Sequence, residues 1–486
     1  MNQELANLEP KALWENFAKL CEIPRPSKKE GRIIEFVKKF GEDLNLETIV
    51  DEVGNVIIKK PATKGMENRK VVVLQGHLDM VPQKNNDKQH DFEKDPIEAF
   101  VDGEWVTANG TTLGADNGMG VAAAMAVLQS NDIEHGPVEA LFTVDEETGM
   151  TGAFGLKAGL LDGDILLNMD SEDEGELYIG CAGGVNCNVS FEYKTVPVPD
   201  DSVAFKITIS GLKGGHSGLD IALGRANSNK LLNRFLWNAV RENKLQLAEI
   251  DGGSLRNAIP RESMATVIVP RDQETEFMKN IEKYGDLFKK EYAGVEPDLK
   301  FSAETTDIPE SLIDEETQNQ LFAAVYGCPN GVIGMVASMP DVVETSTNLA
   351  TIKSNQGKID IMCLLRSSVD SKKEDLADMM KNVFELAGAK VVFDGSYPGW
   401  RPNLNSPILN TMKEVYDNKF GKVPEVKVIH AGLECGIIGD AYPDMDLISF
   451  GPTIRYPHSP DEKVNIETVQ KFWDFILETL KHIPAK

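Results

Sequence analysis

One decapeptide, VVVLQGHLDM at residues 71–80, limits what this chain can fold into more than any other stretch. Three consecutive valines and a leucine make a short unbroken apolar run, the pattern of a strand buried on both faces. The run ends at Gly76, and His77 and Asp79 follow one residue apart. Alternate residues of an extended chain point the same way, so an imidazole and a carboxylate leave this strand end on one face. A neutral imidazole with a carboxylate behind it to orient the ring suits a metal ligand. The alternative is a surface histidine beside an unrelated aspartate, and the rest of the chain decides between the two.

At 486 residues the chain is long for one domain and suggests two or three. Its 41% hydrophobic and 26% charged residues describe an ordinary soluble globular protein. No apolar run approaches the ~20 residues of a membrane span. The opening MNQELANLEPKALWENF is polar and acidic, unlike the basic-then-apolar order of a signal peptide. A net charge of −27 argues against nucleic acid or anionic membrane as partner, since both need basic patches. Six scattered cysteines (Cys21, Cys181, Cys187, Cys328, Cys363, Cys435) form no CxxC pair and read as reduced, mostly buried thiols of a cytoplasmic protein.

Leu13, Phe17 and Leu20 fall at helical spacing, and that helix stops before the Pro24-Arg25-Pro26 turn. A second helix presents Ile33, Val37 and Phe40 on one face, and ETIVDEVGNVIIKKP reads as a hairpin turning at Gly54-Asn55. The polar stretch 83–103 reads as a long surface loop. TTLGADNGMG leads into an Ala- and Val-rich helix near 119–128, while VEALFTVDEETGMTG and DILLNMDSEDEG are strands with acidic ends. Strands alternating with helices, with polar residues gathered at strand ends, predict an α/β sheet with its site at the carboxyl edge. After residues 180–184 the pattern changes. SVAFKITIS, SMATVIVP, GVIGMVAS and KIDIMCLL read as strands, with helices near 223–240, 274–292, 315–325 and 373–386. They predict a separate α+β domain of about 200 residues, built from one or two ferredoxin-like βαββαβ units. The α/β pattern resumes with a helix at 407–419, EVKVIHAGLECG, the strand DLISFGP and a helix at 466–482. The predicted layout is a discontinuous domain of residues 1–184 and 403–486, with residues 185–402 inserted in it.

Four further polar clusters sit where strands should end: Asp116 in LGADNG, Glu146 and Glu147 in VDEETG, Asp170 in NMDSED, and His458 in RYPHSPDE. An acidic residue at a turn is more often a solvated cap than a ligand. Taken together with His77, and with one of the two adjacent glutamates counted, they offer two histidines and three carboxylates at the edges of one predicted sheet. That is the ligand set for two zinc-like ions sharing a carboxylate, and two-metal sites commonly hydrolyse amides or phosphates. One carboxylate must stay outside to take a proton from the activated water, and the adjacent glutamates supply it.

GHLDMV, LGADNG, DEETG, NMDSED and PHSPDE, in this order, resemble the dizinc metallopeptidase family that includes aminoacylase, carboxypeptidase G and many dipeptidases. The likeness covers nearly the whole chain, through KGGHSGLDI, RNAIPR and HAGLECG. It implies a zinc-peptidase sheet flanked by helices, with the inserted α+β domain as its lid. It implies two Zn2+, for which Co2+ or Mn2+ can substitute: His77 and Asp170 on one, Glu147 and His458 on the other, and Asp116 bridging them. Asp79 would orient His77, Glu146 would be the general base, and a cis peptide would join Asp116 to Asn117. In the lid, His216 matches the histidine that stabilises the oxyanion. Asn257 and Arg366 match residues that grip the substrate, Arg366 through its C-terminal carboxylate. His430 and Glu434 lie near the site by motif order, without a role. His90 and His135 read as loop residues, and His482 as a partner of the last helix's dipole.

Acylase-like and carboxypeptidase-like members of that family tend to carry Glu at the position of Asp170, and dipeptidase and aminopeptidase members carry Asp. The implied activity is hydrolysis of unblocked dipeptides, Xaa-His (carnosine-like) among them, by metal-activated water with Glu146 as base. The alternatives are an N-acyl-amino-acid amidohydrolase or aminopeptidase of the same fold, and a non-catalytic binding protein, which would be expected to lack a ligand or the base. The implied partners are small peptides in the cytoplasm, with neither nucleic acid nor membrane. A homodimer is compatible with the sequence, which leaves open whether His216 serves its own chain's site or a second subunit's. Glu172, Asp173 and Glu174 beside Asp170, and Asp461 and Glu462 beside His458, have two readings: an attraction for a free amino terminus, or plain solvated acids.

Overall fold

The computed structural model describes residues 4–486, which divide into two compact units. The first comes from both ends of the chain: everything through Cys181, then Trp400–Val428 and Leu433–Lys486. The second is Ala182–Gly399 together with Ile429–Gly432. The seams lie three residues before those expected at 184/185 and 402/403, and the short return at 429–432 has no signal in the sequence. Cys181 and Trp400 bridge to each other, closing the first unit where the chain leaves and re-enters it.

The first unit holds an eight-stranded sheet in the order Glu47–Val50, Val56–Lys60, Val138–Thr143, Val72–His77, Ile165–Asn168, Asp446–Ser449, Glu176–Cys181, Glu425–Ile429. Strands 138–143, 72–77, 165–168 and 446–449 run parallel, and the first three are buried along their whole length. Coverage on both faces is why they read as continuous apolar runs and not as alternating ones. His77 stands opposite Thr143, Gln75 opposite Asn168, and Asn168 opposite Ser449. The four strands therefore end within two residues of one another, 72–77 level with 138–143 and 165–168 level with 446–449, and the segments that follow them leave from one edge, as the α/β pattern requires.

The helix Ala115–Gln129 packs between that sheet and the helix Lys11–Cys21, and it is buried continuously from Asn117 to Leu128. Its run Ala122-Ala123-Ala124 presents only methyl groups, which lets neighbours approach closely. The stretch 83–103 is not all loop. It ends in the strand Ala99–Asp102, which joins Trp105–Ala108, Lys463–Asn465 and Ile454–Arg455 in a four-stranded sheet. Ala99–Asp102 is an edge strand with Phe100 and Asp102 exposed, so it has no apolar rhythm to read. Among the described residues, no helix is long and apolar enough to cross a membrane.

The second unit is a doubled ferredoxin-like fold. Strands Ser202–Ser210, Gln246–Gly252, Ser263–Pro270 and Lys300–Thr306, with helices Ser228–Asn243 and Glu274–Glu291, make one βαββαβ set in the spatial order fourth, first, third, second. Strands Gly183–Glu192, Met339–Asn355, Lys358–Ser367 and Lys390–Tyr397, with helices Glu315–Gly327 and Asp370–Leu386, make another in the same order. The sets join where Gln246–Gly252 pairs with Met339–Asn355, and Gly331–Val336 adds a ninth strand on the latter. The first set interrupts the second between its opening strand and opening helix. The copies are nested, so no tandem repeat shows in the sequence. Phe205, Phe235, Phe277, Tyr284, Phe288 and Phe301 pack ring to ring in the core beneath the first set.

Candidate metal centre

His77 ends its strand at 1% exposure. Its Nδ1 faces Asp79, 3.2 Å from the carbonyl and 3.4 Å from Oδ1. Its Nε2 lies 3.1 Å from Oδ1 of Asp116 and 3.3 Å from Oδ1 of Asp170. Asp116 reaches the other way with Oδ2, 3.2 Å from Nε2 of His458, and that nitrogen is 2.9 Å from Oε2 of Glu147. The donors form two triads, His77/Asp116/Asp170 and Asp116/Glu147/His458, with the ligand atoms of each within 4.8 Å of one another. Asp116 belongs to both.

Local backbone geometry aims these side chains. Asp116 sits at the mouth of the helix Ala115–Gln129 with extended dihedrals, φ −81° and ψ 112°, so its carboxylate is presented ahead of the regular helix. The peptide between Asp116 and Asn117 is cis, as the family resemblance implies. Asn117 then donates through Nδ2 to Asp170 and to the carbonyl of Met169. His458 adopts φ 59°, a left-handed conformation uncommon outside glycine.

Asp79 links the first triad to the glutamate pair. Its Oδ1 accepts the Glu146 N–H at 3.0 Å, and its Oδ2 accepts the Glu147 N–H at 3.3 Å and the Ser27 hydroxyl at 2.8 Å. Burial alone would raise this carboxyl, but His77, Ser27 and the Glu146 N–H outweigh it and bring the pKa down to about 2. Glu146 goes the opposite way. Burial pushes its carboxyl well up, against the pull of His77 and with Asp170, Glu434 and Glu147 adding to the rise. A carboxylate whose pKa is raised in this way is a stronger proton acceptor than an ordinary one.

The residues present fit two divalent ions. Oε1 of Glu147 is buried without a hydrogen-bond partner, and among the described residues no lysine or arginine pairs with Asp116, Glu146, Glu147 or Asp170. Buried negative charge of this density needs cationic compensation. Imidazole and carboxylate donors are those that zinc, cobalt and manganese accept.

Behind the triads lie groups that sequence reasoning missed or misjudged. Glu462 is 2% exposed, so it is no solvated acid. Its Oε2 accepts the N–H groups of Leu113 and Gly114 at 2.7 and 2.9 Å, and its Oε1 those of Ala115 and Asp116 at 2.7 and 3.3 Å. Burial pushes its carboxyl up to about 7, with these donors opposing. Arg25, which the sequence shows only as the middle of a turn, is buried and donates to the carbonyls of Leu78 and Asp79 at 3.0 Å each and of Gly114 at 2.5 Å. Glu434 is fully buried and accepts from Nε2 of Gln75 at 2.6 Å and from the Thr143 hydroxyl at 2.7 Å. The other acids divide. Asp173 pairs with Arg455, Glu174 with Tyr416 and Lys422, and Asp461 is exposed. Glu172 is half-buried, and burial together with Asp116 and Asp170 raises its carboxyl to about 8. Only the membership of Glu462 in PHSPDE hinted at its role.

In the second unit, the short strand Gly215–His216 pairs with Ala258–Ile259, and the Asn257 carbonyl accepts the Ser217 N–H at 2.8 Å. Nδ1 of His216 accepts from the N–H groups of Gly218 and Leu219 at 3.1 and 3.0 Å, which leaves the ring proton on Nε2. Burial, then Arg366, holds this imidazole below its usual pKa. Arg366 is buried. Its Nη1 donates to the Tyr397 hydroxyl at 3.1 Å, and its Nε has no hydrogen-bond partner. His430 joins this group, with Nε2 2.7 Å from the Ser346 hydroxyl and its pKa pushed down to about 3 by burial, Arg366 and His216. Of the remaining histidines, His135 is a loop residue, fully buried against its neighbour's carbonyl, while Nδ1 of His482 lies 2.7 Å from the Glu478 carbonyl in the last helical turn.

Nitrogen and carboxylate donors gathered at the carboxyl edge of four parallel strands, with a raised-pKa glutamate beside them, define a metallohydrolase. Residues 73–482 match the model of peptidase family M20/M25/M40, and the chain belongs to that family of metallopeptidases. The cytosol non-specific dipeptidase of Escherichia coli (strain K12) is 47% identical over 483 residues, spanning 99% of this chain and 100% of the relative. The crystal structure of aminoacylhistidine dipeptidase from Vibrio alginolyticus matches with TM-score 0.96 and 49% identity, covering 100% of this chain and 99% of that one. Aminopeptidase PepT from Bacillus cereus ATCC 10987 shares the fold at TM-score 0.63 and 16% identity, over 98% of this chain and 99% of its own.

Proposed function

We propose that this chain is a dinuclear metallodipeptidase that hydrolyses unblocked dipeptides, Xaa-His dipeptides among them, in the cytoplasm. The observation that carries the reading is the double engagement of Asp116, with Oδ1 turned to His77 and Oδ2 to His458. His77 and Asp170 would hold one ion, Glu147 and His458 the other, and Asp116 both; zinc is the ion assigned, with cobalt or manganese able to replace it. Bound there, the ions supply Lewis acidity that lowers the pKa of water and polarises the scissile carbonyl. The remaining work falls to side chains of this chain. Asp79 holds the His77 ring through Nδ1, so that Nε2 faces the donors of its triad. Glu146 takes the proton of the attacking water and passes it to the leaving amine. His216, with its proton on Nε2, is assigned to the oxyanion, and Asn257 and Arg366 to the substrate, the buried, unpartnered Nε–H of Arg366 suiting a C-terminal carboxylate.

The names of the Escherichia coli and Vibrio alginolyticus relatives support a dipeptide substrate, an aminoacyl-histidine one in the second case, and the first name supports the cytosol. The net charge of −27 speaks for small peptides over nucleic acid as partners. The test compares kcat/KM for a free Xaa-His dipeptide, its N-acetyl form, its C-terminal amide and a tetrapeptide, each with and without chelator. Blocking either end should cost about 1–3 kcal/mol, tenfold to more than a hundredfold, because a buried polar partner is left unpaired. Preference for the N-acetyl compound would favour an acylase, and preference for the tetrapeptide an aminopeptidase.

A further inference from the structure

The backbone of Leu113–Asp116 is held by two buried side chains, Glu462 and Arg25, and neither belongs to a donor triad. Four successive N–H groups converge on the two oxygens of Glu462, from Leu113, Gly114, Ala115 and Asp116. Such convergence needs a left-handed residue, and Gly114 supplies it with φ 71°. A side chain at 114 would also meet Nη2 of Arg25, 2.6 Å from the position of its Cβ. The peptide unit between Gly114 and Ala115 is gripped on both edges, its N–H by Glu462 at 2.7 Å and its carbonyl by Arg25 at 2.5 Å. Arg25 also binds the carbonyls of Leu78 and Asp79, and so ties this loop to the segment that follows His77.

Glu462 reaches the loop from the same short segment as His458. The Glu462 N–H donates to the Ser459 carbonyl at 3.0 Å, and its own carbonyl accepts the Thr107 hydroxyl at 2.8 Å. One five-residue stretch thus meets Asp116 twice, through the His458 imidazole at the carboxylate and through Glu462 at the backbone N–H.

We infer that Glu462 is a positioning residue for the shared carboxylate, and that it couples the two metal positions by fixing the backbone from which Asp116 projects. The inference rests on the reading of Asp116 as a ligand common to both ions. A residue that orients a ligand without touching the ion typically changes metal affinity by about 10–100-fold. Because Asp116 serves both triads, loss of Glu462 should weaken both positions, whereas loss of His458 should weaken one.

The test titrates metal-free wild type, Glu462→Gln, His458→Ala and Asp116→Ala with Zn2+ against a chromophoric chelator, and records the visible spectra of the Co2+ forms. Glutamine keeps the shape but offers one acceptor oxygen for four donors. The expected result is about 10–100-fold weaker binding at both positions in Glu462→Gln, an altered Co2+ spectrum, and kcat recovered by excess metal with KM nearly unchanged. A lowered melting temperature with both affinities intact would make Glu462 merely structural and overturn the inference. Two tightly bound ions in Asp116→Ala would instead overturn the shared-ligand reading itself. Should Glu462→Gln fail to fold, hydrogen exchange on the metal-free wild type decides. The amides of residues 113–116 should be protected as strongly as those of Val72–His77, and rapid exchange would rule the clamp out.

Discussion

Asp79 lies 3.4 Å from Nδ1 of His77 and in the same position accepts the backbone N–H of Glu146 at 3.0 Å. One carboxylate thus orients a metal-ligand candidate and the turn that carries the candidate base. Asp79→Asn keeps the shape, halves the acceptor capacity and removes the charge. Metal affinity should fall about 10–100-fold, and kcat at saturating metal should fall as well, because the Glu146 turn is loosened. Calorimetric titration of the metal-free protein checks the first effect and metal-saturated kinetics the second.

Glu146 belongs to neither of the two triads that share Asp116. Glu146→Gln should therefore keep both ions yet lose about 10²–10⁴-fold in kcat for want of a proton acceptor. Elemental analysis together with single-turnover rates decides, and a metal-replete variant with near-normal turnover would remove Glu146 from the mechanism.

His216 and Arg366 should fail in different ways. His216→Ala should lower kcat about 10²–10³-fold, the usual cost of an oxyanion donor, with metal content unchanged. Arg366→Ala should cost a free dipeptide about tenfold to a hundredfold in kcat/KM while hardly affecting the C-terminal amide, which has no carboxylate to lose. Equal losses on both substrates would show that Arg366 does not read that carboxylate.

His430 makes stability depend on pH. Its folded pKa of about 3 lies below the ordinary value near 6.5, so the fold favours the neutral ring. Its contribution is complete above about pH 6.5 and is lost as pH falls from there toward 3, because the unfolded chain takes up the proton first. His430→Gln should flatten the stability–pH curve between about pH 6.5 and 4 by up to about 1.4 kcal/mol per pH unit. Urea unfolding of both proteins at several pH values reads the difference, and parallel curves would exclude His430 as its source.

Chelation should abolish turnover, and Zn2+, Co2+ or Mn2+ should restore it to different extents. Re-addition should also raise the melting temperature in proportion to the logarithm of free metal, since the ions bind only the folded state. A metal-independent residual activity comparable to the starting rate would contradict the dinuclear reading.

How legible these features were depends on what each residue's surroundings leave in the sequence. Valines 71–73 and the apolar runs after residues 137 and 164 announced buried parallel strands, because burial on both faces leaves no alternation. His77, Glu147 and Asp170 followed those runs directly and could be ordered along one sheet edge, whereas Asp116 at a helix mouth and His458 beyond the small sheet's Ile454–Arg455 were placed by their motifs alone. The long strand Met339–Asn355 left no such trace. Thr345, Ser346, Thr347 and Asn348 are buried in its middle, and polar residues of that kind read as loop until their partners are known. Glu462 was illegible for a related reason. An acid satisfied by N–H groups roughly 350 positions away looks, in its own neighbourhood, like an acid satisfied by water.

The chain order of the four parallel strands has a consequence for biosynthesis. Ile165–Asn168 is flanked by Val72–His77 on one side and by Asp446–Ser449 on the other, and the latter is translated about 280 residues later. At about 5–20 residues per second, the amino-terminal half spends roughly 14–56 s on the ribosome with that strand edge open. Through that interval it is an aggregation hazard that a chaperone would have to shield. His458 and Glu462 come later still, so through that interval no copy of this chain carries the full set of candidate site residues.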